Sequence, residues 1–136
     1  MSKSIKPEEL QDTLKDYLEN YIEDIEEDVK ETTKEITKEA VEELKQISPK
    51  GHGSRKNPYH KGWTKQAGKQ NKGRYTIKIH NKTNYQLTHL LEFEHATRNG
   101  KMTKAIPHIR PTEEKYNELY EKRITTVIKR RSKRWH

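Results

Sequence analysis

Cysteine is absent from these 136 residues, which excludes a disulfide framework and any thiolate chemistry. Hydrophobic side chains are scarce at 28%, against roughly 45–50% in ordinary globular domains when glycine is counted. Ordering the backbone alone costs about 1–2 kcal/mol per residue. So thin an apolar inventory predicts a chain that is partly flexible when alone and that completes its core against neighbours. No apolar run approaches the ~20 residues of a membrane helix, and no signal-peptide h-region opens the chain. The expectation is therefore a protein made and folded in a cytosol, with no membrane partner. The length suits one domain and an appendage.

The net charge of +8 conceals a division. Met1 to Ile47 holds 15 acidic and 7 basic residues, a net of −8. Ser48 to His136 keeps the other 6 acids and 22 bases, a net of +16. Two halves of opposite sign are suited to meeting different surfaces, or each other.

Pro7, Glu8 and Glu9 read as a helix start, proline at the first position and carboxylates at the positive end of the dipole. Neither proline nor glycine interrupts the chain from there to Ile47. Leu14, Leu18, Ile22, Ile25, Val29, Thr33, Ile36, Ala40, Leu44 and Ile47 follow one another in steps of three and four that repeat every eleven residues. That period keeps one stripe on one side of a nearly straight helix about 60 Å long. A rod of that length exceeds the ~26 Å diameter of a 100-residue domain, so it predicts packing against a partner or other copies. The alternative is an amphipathic helix lying on its own domain. Thr33 and Ala40 weaken the second half of the stripe, with a break expected near Thr32 and Thr33 if one occurs.

Ser48 and Pro49 end that helix. Lys50, Gly51, His52, Gly53, Ser54, Arg55 and Lys56 open a basic loop, expected to be mobile and to order on assembly. Trp63–Gln66 and Arg74–His80 read as strands around a turn-rich stretch from Gly68 to Gly73, with Tyr75, Ile77 and Ile79 alternating against polar residues. Tyr85–Phe93 reads as a short helix, Arg98 to Lys101 as a turn, and Met102–Ile109 as an edge strand bearing Pro107. Pro111 and Thr112 read as the start of a last helix whose buried face is Tyr116, Leu119, Tyr120, Ile124, Val127 and Ile128. The fold class is α+β: a long N-terminal helix, a small antiparallel sheet, a short central helix and a C-terminal helix. The divisions are 1–47 for the acidic helix, 48–62 for the basic loop, 63–128 for the small domain and 129–136 for a basic tail.

Little in the chain points to catalysis. His89 and His95 are six apart, about 120° from each other around a helix, whereas a zinc helix of the HExxH type needs two histidines four apart. No serine sits in a Gly-x-Ser-x-Gly elbow, and no glycine-rich phosphate loop precedes a helix. No catalytic residue, metal or cofactor is assigned. Lys129, Arg130, Arg131, Lys133 and Arg134 are candidate phosphate contacts, with Tyr59, Trp63 and Trp135 available for stacking. The same cations also suit the negative end of a helix dipole, or the acidic helix of a neighbouring copy.

From Ser48 onward one series of features stands in order: Ser48-Pro49, Tyr59 with Lys61-Gly62-Trp63, Asn84 through Phe93 and His95-Ala96. It closes with Arg98-Asn99-Gly100 and Ala105-Ile106-Pro107-His108-Ile109-Arg110-Pro111. In this order the chain resembles the tail-completion, or head–tail joining, proteins of bacteriophages with long non-contractile tails. The segment from Tyr85 to Pro111 is the specific part of the resemblance. Glu94 stands where that family usually has glycine, and a positive φ there would strain it. The resemblance implies structural work: a homo-oligomer, monomeric before assembly and a hexameric ring in the virion, meeting head-completion and tail-tube proteins around a DNA channel. Trp63, Tyr85, His89, Leu91, Glu92, His95, Pro107, His108 and Pro111 would be structural residues of such a protein. Tyr85, Leu87, Leu90, Leu91 and Phe93 would anchor the short helix, and Glu92 would bond to His89 or His108. A small basic ribonuclease toxin and a DNA-binding accessory protein are the rival readings.

Overall fold

The structure is a computed structural model that describes residues 7–68 and 75–135, with side chains to residue 133. Helix α1 spans Pro7–Ile47 and is continuous through Thr32 and Thr33. A single 3-10 turn at Tyr59–Lys61 leads into strand β1, Trp63–Ala67. Strand β2 is Ile77–Asn81, helix α2 Tyr85–Glu92 and helix α3 Ile109–Trp135. Among the described residues the two strands form the whole sheet, antiparallel from Trp63 opposite Asn81 to Ala67 opposite Ile77. The class is α+β, as the sequence predicts. Of the expected turn after β1, only Gly68 falls among the described residues.

The threonines that looked like a weak point in α1 are accommodated. Thr32, Thr33 and Thr37 each return their hydroxyl to the carbonyl four residues back, at 2.6–2.8 Å. A hydroxyl satisfied within its own helix can be buried without an orphaned donor. Thr32 and Thr37 are buried accordingly, together with Ile36, Ala40, Val41 and Leu44. The second half of the stripe is therefore the packed half, because α3 lies antiparallel along it. Cross-links run from Lys115 to Glu43 at one end, through Arg123 to Glu39 and Tyr120 to Thr33, to Arg131 on Asp28 and Tyr21 on Ser132 at the other. The first half goes the other way: residues 7–20 are exposed on every face.

The core is small. Val41, Leu44, Tyr59, Trp63 and Leu91 form it, with Ile79, Leu87 and Ile109 packed at its margin. The Tyr59 and Trp63 rings meet edge-on at 5.7 Å between centroids, a favourable aromatic geometry. Since both are buried, neither is available for stacking on bases, which corrects the sequence expectation. Two other expectations are also corrected. Met102–Ile109 is not a strand: Met102 bridges to Ala96 across the expected turn at Arg98–Lys101, and the Ile106 N–H donates to the Leu91 carbonyl at 2.8 Å. Helix α3 begins at Ile109, two residues before Pro111, and residues 129–135 continue it rather than forming a separate tail.

Candidate assembly surfaces and the internal lock

Two of the sequence residues singled out around the short helix, Glu92 and His108, meet with Tyr59 in one buried network. A helix start leaves N–H groups without intrahelical acceptors, and α3 begins beside the buried His108. Glu92, at the last turn of α2, supplies the acceptors. Its Oε2 accepts from the backbone N–H groups of His108 and Ile109 at 2.8 and 2.9 Å, and Oε1 accepts from that of Arg110 at 2.9 Å. The next residue is Pro111, which has no N–H to satisfy. The first turn is thus complete, with a carboxylate at the positive end of the dipole. Burial alone would raise the Glu92 carboxyl, but the three backbone donors and the nearby His108 outweigh it and hold the group below its ordinary value.

His108 ties this cap to the core. Its Nδ1 lies 2.7 Å from the Ile106 carbonyl and 3.0 Å from Glu92 Oε2, and its Nε2 lies 2.7 Å from the Tyr59 hydroxyl. With the proton on Nδ1, where two acceptors face it, Nε2 accepts from the phenol. Burial, and secondarily the Glu92 charge, push the Tyr59 phenol well above its ordinary range. It therefore stays a donor. Of the two expected partners for Glu92, His108 is the one found. His89 is exposed and tilts against Phe93 at 4.9 Å.

Two further motifs have local explanations. Ser48 is buried, hydrogen-bonds the Leu44 carbonyl at the end of α1 and accepts from Trp63 Nε1 at 2.7 Å. A Cβ on Gly62 would fall 2.3 Å from Thr83 Oγ1 and 2.4 Å from Asn81 Oδ1. The Lys61-Gly62-Trp63 element therefore needs glycine in its middle for space. Asn81, also buried, donates to the Tyr59 carbonyl and accepts from the Asn84 N–H, both at 2.8 Å. His95 Nδ1 sits 3.1 Å from the Leu90 carbonyl and 2.9 Å from Thr103 Oγ1, holding the 95–103 loop to α2.

The other residues singled out are placed as follows. Leu91 is buried and Leu87 partly so, but Tyr85, Leu90 and Phe93 are exposed and do not anchor α2. Pro107 and Pro111 are exposed and bracket His108. Glu94 is not at positive φ, so its replacement of glycine carries no backbone strain. The loop from Lys50 to Lys56 is pinned at its base. Tyr59 N–H donates to the His52 carbonyl at 2.9 Å, Gly53 bridges to Pro58, and Asn84 Nδ2 donates to the Asn57 carbonyl at 2.8 Å. Arg131 is spent within the chain, on Asp28 and Asp24 of α1. Lys129, Arg130 and Lys133 face solvent, and the Arg134 side chain lies outside the described residues.

What remains on the surface is apolar and charged. Leu10, Leu14, Leu18 and Ile22 form an exposed stripe on α1, and Tyr85, Phe93, Met102 and Ile106 are exposed around α2. Surfaces of this kind mark contacts with other proteins more often than catalytic clefts. Sequence periodicity had located the first stripe but not which half would stay uncovered. Only the course of α3 decides that.

No curated protein and no solved structure matches the chain. A family model does, over residues 12–93, under the description "Bacteriophage HK97-gp10, putative tail-component". The matched range takes in most of α1, where no motif was legible, and both strands and α2. It ends before His95, Pro107, His108 and Pro111, whose kinship rests on the sequence resemblance alone. With more than half of its residues matched, the chain belongs to the HK97-gp10-like family and is a structural protein of a bacteriophage.

Proposed function

We propose that this chain completes the tail, or joins head and tail, as a ring of like copies at the head–tail interface of the virion. The observation that supports the reading most is the exposed apolar stripe on α1, of which Leu14, Leu18 and Ile22 lie inside the matched family range. Leu10, Leu14, Leu18 and Ile22 are 46–53% exposed, and the buried apolar side chains among the described residues are few. Other subunits, or head-completion and tail-tube proteins, would cover the stripe.

A non-enzymatic role fits the network described above. His108 is only 1% exposed and both ring nitrogens are engaged, so it cannot meet an RNA substrate in this fold. That weighs against a ribonuclease. A DNA-binding role would draw on Lys129, Arg130 and Lys133 without Arg131.

Genetic removal tests the proposal. In lysates from phage lacking this chain, electron microscopy should show filled heads and separate tails, or tails of abnormal length. Supply of the chain in trans should restore joined particles. Normal, infectious particles in its absence would overturn the reading.

A further inference from the structure

The exposed stripe on α1 is strongly acidic around its apolar residues. Residues 8–23 hold six carboxylates and one lysine. Two such arms laid against each other would set like charge along the whole contact, which destabilises paired helices. A nucleic acid is repelled for the same reason. The arm requires an apolar surface with a cationic rim.

The chain carries one. Residues 44–91 include eleven lysines and arginines and no aspartate or glutamate. Asn84 draws two parts of that stretch together, its amide holding the Asn57 carbonyl beside the start of α2. Arg55, Lys56 and Lys82 are all exposed there. Tyr85, which follows Asn84, is 72% exposed, and at the far end of α2 Phe93 is 52% exposed with His89 against its ring. Tyr85, His89 and Phe93 stand four residues apart, as do Leu10, Leu14 and Leu18. Each set spans about 12 Å at helical rise.

We propose that residues 8–22 of α1 form a docking arm that seats on the α2 face of a second copy of this chain. Leu14 covers Tyr85 and Ile22 covers Phe93, with Leu18 over His89 between them, while Asp12, Asp16 and Glu19 meet Arg55, Lys56 and Lys82. The arm and its seat lie on different parts of the molecule, so the contact is head-to-tail and propagates from copy to copy. It rests on the assembly reading above for its setting, and adds which surfaces meet.

Because the chain lacks cysteine, a disulfide can be placed cleanly. Leu14→Cys and Tyr85→Cys are prepared as separate full-length proteins, both changes being at exposed positions. They are mixed at low ionic strength under mild oxidation. The mixed disulfide should exceed either homodimer about tenfold, since complementary charge selects the pairing, and should fade as salt shortens the Debye length. Predominance of the Leu14→Cys homodimer, or no bridge at concentrations where the unsubstituted chain associates, overturns the docking. So does a chain that stays monomeric at every concentration, or a short DNA duplex that binds the α2 face and abolishes the bridge at equal charge ratio. Purified virions separate this from the assembly reading. A chain present in virions that never forms the bridge there sinks only the docking, whereas a bridge in solution with no chain in virions sinks only the assembly.

Discussion

Glu92 accepts from three backbone N–H groups at the start of α3. Replacing it by glutamine keeps the volume but removes the charge and turns an amide toward donors. Glu92→Gln should cost about 1.5–3 kcal/mol in urea unfolding, the range for hydrogen bonds to a charged group. The pH dependence has a definite sign. The folded carboxyl titrates below its ordinary 4.5, so its contribution is complete above that pH and is lost as pH falls through the lowered value. The stability gap between the wild type and Glu92→Gln should therefore be constant near neutrality and narrow in acid. Gly62→Ala is a second residue-scale case. Its Cβ would press on Asn81 and Thr83, and the overpacking should cost about 1–3 kcal/mol.

At the scale of elements, α1 divides into a buried half and an exposed half. Ile36→Ala or Leu44→Ala removes packed core volume and should cost about 2–5 kcal/mol. Leu14→Ala or Leu18→Ala, at exposed positions, should change monomer stability by no more than about 0.5 kcal/mol. Equal losses at all four sites in denaturant titrations would mean the arm is packed in solution. Much of this element was legible beforehand: the period of the stripe places Ile36, Ala40 and Leu44 on one face, and Ser48-Pro49 marks its end. What periodicity cannot express is which stretch of a stripe a distant helix covers, so Thr33 and Ala40 looked weak while Leu14 and Leu18 looked strong. The start of α3 was misplaced for a related reason. Its cap, Glu92, comes from another helix seventeen residues before Ile109, and Pro111 was the nearest local signal. The apolar spacing of Tyr85–Phe93 predicts α2 correctly, but with no layer above it Tyr85, Leu90 and Phe93 stay in solvent.

Over the whole molecule, the first half of α1 carries acid and exposed apolar surface, and residues 44–91 carry cations with exposed apolar surface at Tyr85. The last turns of α3 bring further cations beside Tyr21 and Asp28. The docking proposed between copies would set the acidic arm against the cationic stretch of a neighbour. It should therefore weaken with salt, because exposed charges are screened beyond about 8–10 Å at physiological ionic strength. Sedimentation of the purified chain at rising salt should show oligomers giving way to monomers. The central claim, that this family member is a structural part of a virion and is completed by contact with other subunits, is tested most directly by an electron cryo-microscopy reconstruction of purified particles. The account predicts several symmetry-related copies at the tail end or the head–tail junction, with Leu10, Leu14, Leu18 and Ile22 covered by neighbouring protein. Particles in which this chain is absent, or in which those four residues remain in solvent, would contradict it.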